Sequence, residues 1–337
     1  IFSKNEEYGY SHLADLSAGL DSRMVNFVAH DLGYKNVLNI CYSQSGSIDA
    51  RVSKKISKSL GNTWHFSPID GGFFLKDIDD VVGKYGGQEV YCISTGANRA
   101  LNQVDTTSVG LCVSGVLGEV LNAYWTEDGF EHTPVRLTDN RYSHVVEYVC
   151  PEEYYTGYDN FDHFNNCIYS LLLFHSSLIV RQDRCEPFSP MADKEYMEFC
   201  MRLPLEYRKN YRILLAWMKE KYPSATNYVW LNTLKPIKGG FYLPYYYYKA
   251  KNMSSKIWNK LFANKKKPYI QQMNPFDIWY QNNEDLRNFM NNNFSERIGL
   301  VEDSTLKREV SQTFEQGKCV DKICALNVLA VYNRYFK

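Results

Sequence analysis

The chain opens with apolar runs and helical stripes in alternation. Tyr8 to Leu16 has the apolar content of a buried strand, and the small residues Ser17, Ala18 and Gly19 break it. Met24, Val25, Phe27 and Val28 follow at helical spacing as far as Gly33, which reads as a helix stop. A second strand is predicted over Val37–Tyr42. A Ser/Gly turn from Ser43 to Ser47 then leads into a helix opening at Asp49, with Val52, Ile56 and Leu60 on one face. Gly61 ends that helix, and Thr63 to Phe66 reads as a third strand. This rhythm predicts an α/β fold with a doubly wound parallel sheet. Two helices, Phe73–Tyr85 and Ser94–Val104, precede a fourth strand over Val109–Ser114.

After about residue 130 the strand rhythm stops and helix patterns take over. The pattern divides the chain into an α/β core over 1–130 and a mainly helical region over 131–337. Ile168 to Val180 is the most apolar run and reads as a buried helix, since it is too short to span a bilayer. In Glu186–Pro204, Pro190 and Asp193 suit the first turn of a helix whose buried stripe is Tyr196, Phe199 and Leu203. Arg212 to Tyr222 is helical up to Pro223. The remainder, to Lys337, is helical and Asn-rich.

Charge is balanced, with 38 basic and 38 acidic residues, so neither nucleic acid nor an anionic membrane is indicated as a partner. Tyr245–Tyr248 and Lys265–Lys267 put aromatic and basic residues close together, but isolated in a neutral chain they read as a packed tyrosine cluster and a solvated surface. The nine cysteines form no Cys-x-x-Cys pair and several lie in apolar runs. That usage suits reduced, buried thiols in a cytoplasmic protein. No signal peptide is visible. The start at Ile1, almost directly on the first strand, suggests the C-terminal part of a longer polypeptide.

Two stretches carry candidate chemistry. The first is the corner Leu16-Ser17-Ala18-Gly19-Leu20-Asp21-Ser22-Arg23, where strand, small-residue turn and helix point backbone N–H groups and a positive helix end at one spot. No Gly-Lys-Ser/Thr follows, so it is not a Walker loop. The second corner is Ser114-Gly115-Val116-Leu117-Gly118-Glu119-Val120-Leu121-Asn122-Ala123-Tyr124. In a parallel sheet both corners lie at the carboxyl edge, where ligands bind.

On these residues the chain resembles the N-type ATP pyrophosphatases, and specifically the synthetase domain of the asparagine synthetases. Ser17 to Ser22 resemble the Ser-Gly-Gly-Leu-Asp-Ser pyrophosphate loop, with Ala18 where the family usually has glycine. The second corner resembles Ser-Gly-x-Gly-x-Asp-Glu-Leu-x-Gly-Gly-Tyr. Glu119 stands at the second magnesium-binding aspartate, and Val120 stands where asparagine synthetases proper have glutamate. Asp193, Glu198, Phe199, Leu203 and Pro204 are in step with Pro-Phe-Leu-Asp-x-x-x-x-Glu-Phe-x-x-x-Leu-Pro, and Lys235 to Phe241 with a Lys-x-Gly-Phe loop. His65 matches a histidine often seen in the family and reads as structural. The resemblance runs in order from about Tyr10 to Leu243.

The resemblance implies an adenine nucleotide alpha hydrolase-like fold and an ATP-dependent ligase that forms carbon–nitrogen bonds. A substrate carboxylate would attack the α-phosphorus of ATP and release pyrophosphate. A nitrogen nucleophile would then displace AMP. ATP would lie against Leu16, Ser17, Ala18, Gly19, Leu20, Asp21 and Ser22, with the backbone of Ile40 and Cys41 at the adenine and Gly115 opposite. Asp21 and Glu119 would hold Mg²⁺. Lys235 and Lys238 would neutralise charge growing on the phosphates. The partners implied are a small carboxylic acid and a nitrogen donor. In the amidotransferases of this family, a glutaminase half supplies the nitrogen; here the source is a domain outside this chain, free ammonia, or an amine on the substrate, as in the related β-lactam synthetases and lasso-peptide cyclases. Two alternatives stay open: another pyrophosphate-loop ligase, and a non-catalytic nucleotide-binding descendant marked by Ala18, Glu119 and Val120.

Overall fold

Five strands hydrogen-bond side by side, all parallel, in the order β3-β2-β1-β4-β5. They are β1 (Ser11–Asp15), β2 (Leu38–Ser43), β3 (Thr63–Pro68), β4 (Val109–Val113) and β5 (Glu186–Phe188). The computed structural model describes residues 1–87, 91–123, 157–164, 166–167, 178–238 and 272–337. The register pairs Leu13 with Leu38 on one side and with Cys112 on the other. Ile40 pairs with His65, and Cys112 with Pro187. Strand order runs outward from β1 through β2 to β3, and the chain then crosses back to place β4 on the other side of β1.

Successive side chains of a strand face opposite ways, and β1 uses both faces. Ala14 joins Val25 and Ala29 of α2 (Asp21–Asp31), together with Val37 and Val113, on one face. Leu13 meets Ile40, Cys112 and Cys185 on the other, against Leu101 of α5 (Tyr91–Leu101). Helix α3 (Ile48–Ser59) lies on the α2 side, where Val52 and Ile56 pack with Met24, Phe27 and Leu16. Its start is fixed by Ser47, whose hydroxyl accepts from the Ala50 N–H at 3.1 Å.

Several expected elements sit differently. Helix α1 (Phe2–Glu7) precedes β1, because Phe2 and Asn5 are buried against the sheet, so the chain does not begin on its first strand. The expected helix from Phe73 starts only at Ile78, as α4 (Ile78–Tyr85); Asp70–Lys76 is a 3₁₀ segment, with Gly71 and Gly72 at φ +70°. The second expected helix begins earlier, at Tyr91, and ends at Leu101. Strands do not stop near residue 130, since β5 adds to β4 from beyond it. The expected stripe of Tyr196, Phe199 and Leu203 is not buried. In α7 (Lys194–Arg202) it is Cys200 that is buried, while Phe199 is 53% exposed. Most of Ile168–Val180, together with Tyr245–Tyr248 and Lys265–Lys267, lies outside the described residues.

Helix α8 (Arg212–Lys221) follows as expected, and the chain then forms a short hairpin of β6 (Val229–Trp230) and β7 (Lys235–Pro236). Four helices close the chain: α9 (Phe276–Asn282), α10 (Glu284–Ile298), α11 (Ser304–Gln316) and α12 (Cys319–Tyr335). They share one core with α4 and α5. Among the described residues no disulfide links the cysteines, and Cys41, Cys92, Cys112, Cys185, Cys200 and Cys319 are buried. No described helix is long and apolar enough to cross a membrane.

Candidate functional site

The loop after β1 folds on itself. The Ser17 N–H donates to Ser22 Oγ at 3.2 Å, the two serine hydroxyls are 3.0 Å apart, and the Gly19 N–H donates to Ser17 Oγ at 3.1 Å. The Ala18 N–H donates to Asp49 Oδ1 at 2.9 Å. Ala18 is fully buried beside Leu20, Trp230 and Ile237, and its backbone is not left-handed, so a methyl group fits at this position. The Ala18 N–H is therefore taken up by buried Asp49, and the Gly19 N–H by Ser17 Oγ within the loop. A phosphate here would meet the Ser17 and Ser22 hydroxyls and the start of α2, where Leu20 stands at the N-cap and no side chain caps the helix.

The second corner lies directly on the first. A Cβ built on Gly115 would fall 2.5 Å from the Ser22 nitrogen, and one on Gly118 would fall 2.2 Å from Asp21 Oδ1. Only glycine permits this approach. Asn122 donates from Nδ2 to Asp21 Oδ1 at 3.3 Å and to the Gly118 carbonyl at 2.9 Å. Leu117, at the position of the second glycine of the Ser-Gly-x-Gly pattern, has φ +76°, a conformation that glycine adopts without strain. Glu119 follows Gly118, which lies against the Asp21 carboxylate, in α6 (Gly118–Leu121); its side chain lies outside the described residues.

Leu16 donates its N–H to the Ile40 carbonyl at 3.0 Å, so β2 runs beside the loop. Ile40 and Cys41 are both buried in the ladder. Burial pushes the Cys41 thiol up to about 12, well above the range in which it would react as thiolate. Asp49 is 1% exposed, and burial raises its carboxyl above the ordinary value against the opposing effect of the Ala18 hydrogen bond.

The hairpin that carries the two lysines docks on the same loop. Trp230 and Ile237 are buried with Ala18 and Leu20, and the Leu231 N–H reaches the Ala18 carbonyl at 3.5 Å. Lys235 lies in β7 opposite Trp230, and Lys238 follows Ile237; both lysines are exposed. The residue that ties these parts together is Arg23. In the sequence it marks only the end of the loop, yet its guanidinium donates to the carbonyls of Ala18 and Val229 at 3.0 and 2.7 Å and of Ala225 and Tyr228 at 3.1 and 3.3 Å. A cation in the first turn of a helix works against the dipole, and that oddity is the signal the sequence offered.

An apolar cleft of about 750 Å³ runs along α2 from Asp21 past Met24 and Val28, with Leu121, Phe199 and Trp217 on its other walls. Such walls do not suit a polyphosphate. Among the described residues no three His, Cys, Asp or Glu side chains cluster as a metal cage. The Asp21 carboxylate at the corner contact is an oxygen donor of the kind Mg²⁺ takes, and that ion keeps waters and accepts phosphate oxygens as further ligands. No protein-family model matches the chain, and no curated protein matches it.

Proposed function

We propose that the protein is an ATP-dependent amide-forming ligase of the asparagine synthetase type, built on a doubly wound, adenine nucleotide alpha hydrolase-like core with the later helices completing the site. The observation that carries this reading is the contact between the corners after β1 and β4. These are the strands between which the order β3-β2-β1-β4-β5 reverses, and α/β sheets bind ligands at such a switch point. Leu117 stands where the resembled pattern has glycine, and its left-handed backbone is one that glycine adopts without strain, which supports the resemblance.

In this reading the Ser17 and Ser22 hydroxyls and the α2 N-terminus bind the phosphates, and Gly115 lets the second corner approach them. Asp21 and Glu119 would hold Mg²⁺, which when bound offsets phosphate charge. Lys235 and Lys238, on the hairpin docked against the loop, stabilise charge growing on the α-phosphate and pyrophosphate as the substrate carboxylate attacks. The chain thus contributes positioning and electrostatics rather than a covalent intermediate. ATP–pyrophosphate exchange measured against a panel of carboxylic acids tests the reading, and exchange dependent on one acid class is the expected result.

A second reading, a nucleotide-binding descendant without catalysis, is favoured by the Ala18 and Gly19 amides, which are already engaged by Asp49 and Ser17. Saturable MgATP binding by calorimetry without exchange for any acid would select it.

A further inference from the structure

Arg23 is the third residue of α2 and is fully buried. No carboxylate pairs with it among the described residues. Four backbone carbonyls surround it instead, one on the loop and three more than 200 residues further along the chain. Its Nε is buried with no hydrogen-bond partner. A guanidinium presents five donors in a fixed plane, so it can hold carbonyls from separate segments in one geometry, which the single nitrogen of lysine cannot. Burial without a counter-charge is costly, and it lowers the guanidinium to about 10. Besides Arg23, the hairpin meets the loop through one long hydrogen bond from Leu231 to Ala18 and through the burial of Trp230 and Ile237 with Leu16, Ala18 and Leu20.

We infer that Arg23 is a positioning residue: it fastens the segment 225–229, and through it the hairpin bearing Lys235 and Lys238, to the Leu16–Asp21 loop, and so sets the lysines relative to the bound phosphates. The fastening stands on the contacts alone; its consequence for turnover rests on the function proposed above. If the lysines act mainly in the transition state, loosening the hairpin lowers kcat while leaving the KM for ATP, which the loop governs, nearly unchanged.

Hydrogen–deuterium exchange and ATP–pyrophosphate exchange on the full chain test both halves, using Arg23→Met and Arg23→Lys. In Arg23→Met the amides of Leu231 and Ile237 should exchange at least about tenfold faster, while those of α3 stay unchanged. kcat should fall by about tenfold or more with KM within about twofold. Arg23→Lys, with three donors for four carbonyls, should be intermediate in both measurements. Unchanged hairpin exchange in both variants overturns the fastening. A freed hairpin with unchanged kcat, or a loss confined to KM, overturns the positioning role. A wild-type protein that binds MgATP but never turns over overturns the proposed function and the positioning role with it, and amide exchange still judges the fastening. Should Arg23→Met fail to fold, Arg23→Lys carries both measurements.

Discussion

Asp49 is held by one oxygen only: Oδ1 accepts from Ala18, whereas Oδ2 is buried with no hydrogen-bond partner. Its carboxyl is raised above the ordinary value of 3.8 by burial. A carboxyl whose folded value is raised adds stability below its unfolded value and loses it as pH climbs through the folded one. The urea midpoint of the wild type should therefore fall relative to Asp49→Asn as pH rises above the ordinary carboxylate value of 3.8, since Asn keeps the acceptor for Ala18 and carries no charge. Parallel midpoint profiles for the two proteins would remove the ionisation argument. Asp21 offers a second test at this scale. A carboxylate at the start of a helix is worth about 0.3–1 kcal/mol by the dipole alone. If it shares one ion with Glu119, Asp21→Asn and Glu119→Gln should each abolish Mg²⁺-dependent ATP binding in calorimetry with little change in Tm. The double variant should then be hardly worse than either single one. Additive losses would return both residues to helix electrostatics.

At the scale of elements, the contact between the two corners depends on Gly115. A methyl group there meets backbone atoms of Asp21 and Ser22 at 2.5–2.9 Å, and backbone cannot swing aside as a side chain can. Gly115→Ala should cost about 1–3 kcal/mol in urea unfolding; a neutral change would mean that the corners separate easily. The elements that make up this contact were legible in the sequence because their signals are local. The first three strands, α2 and α3 each announce themselves by period and by punctuation such as Gly33, Ser47 and Gly61. The strand β5, Glu-Pro-Phe, was not legible: three residues with a central proline have no strand pattern, and they are a strand only because β4 offers an edge. Nor was the hairpin, whose strands are two residues each. In α7 the helical period was correct but its buried side was not, since periodicity marks an amphipathic helix without saying which neighbour covers it. For Arg23 the sequence offered a misplaced cation but not what it binds. Its partners are carbonyls, which every residue has, and no sequence pattern marks a carbonyl 202 residues away.

For the molecule as a whole, the question is whether the sheet and the last four helices unfold together. Trp279 of α9 is 1% exposed and bridges the two parts. Its indole Nε1–H donates to Gln44 Oε1, just beyond β2, at 2.7 Å, and its ring lies edge-on to Phe74 at 5.8 Å. The Gln44 N–H donates to the Met273 carbonyl at 2.9 Å, and Asn283 holds the Gly71 carbonyl at 2.7 Å, so the end of β2 and the 3₁₀ segment are bound to the same stretch. Helix α12 adds Ile323, Leu326 and Leu329 to a core that also contains Leu75, Ile78 and Val82. Neither side can bury these faces without the other, so one cooperative transition is expected. Trp279→Ala should cost about 3–5 kcal/mol for the lost ring. Trp279→Phe keeps most of the packing and leaves the Gln44 oxygen unbonded, for about 1–3 kcal/mol. Far-UV circular dichroism, and exchange protection of β2 and of α12 followed through the same urea series, should shift together in both variants. If α12 lost protection at a lower urea concentration than β2, the helices would be a separate folding unit and Trp279 a contact between two units rather than part of a shared core.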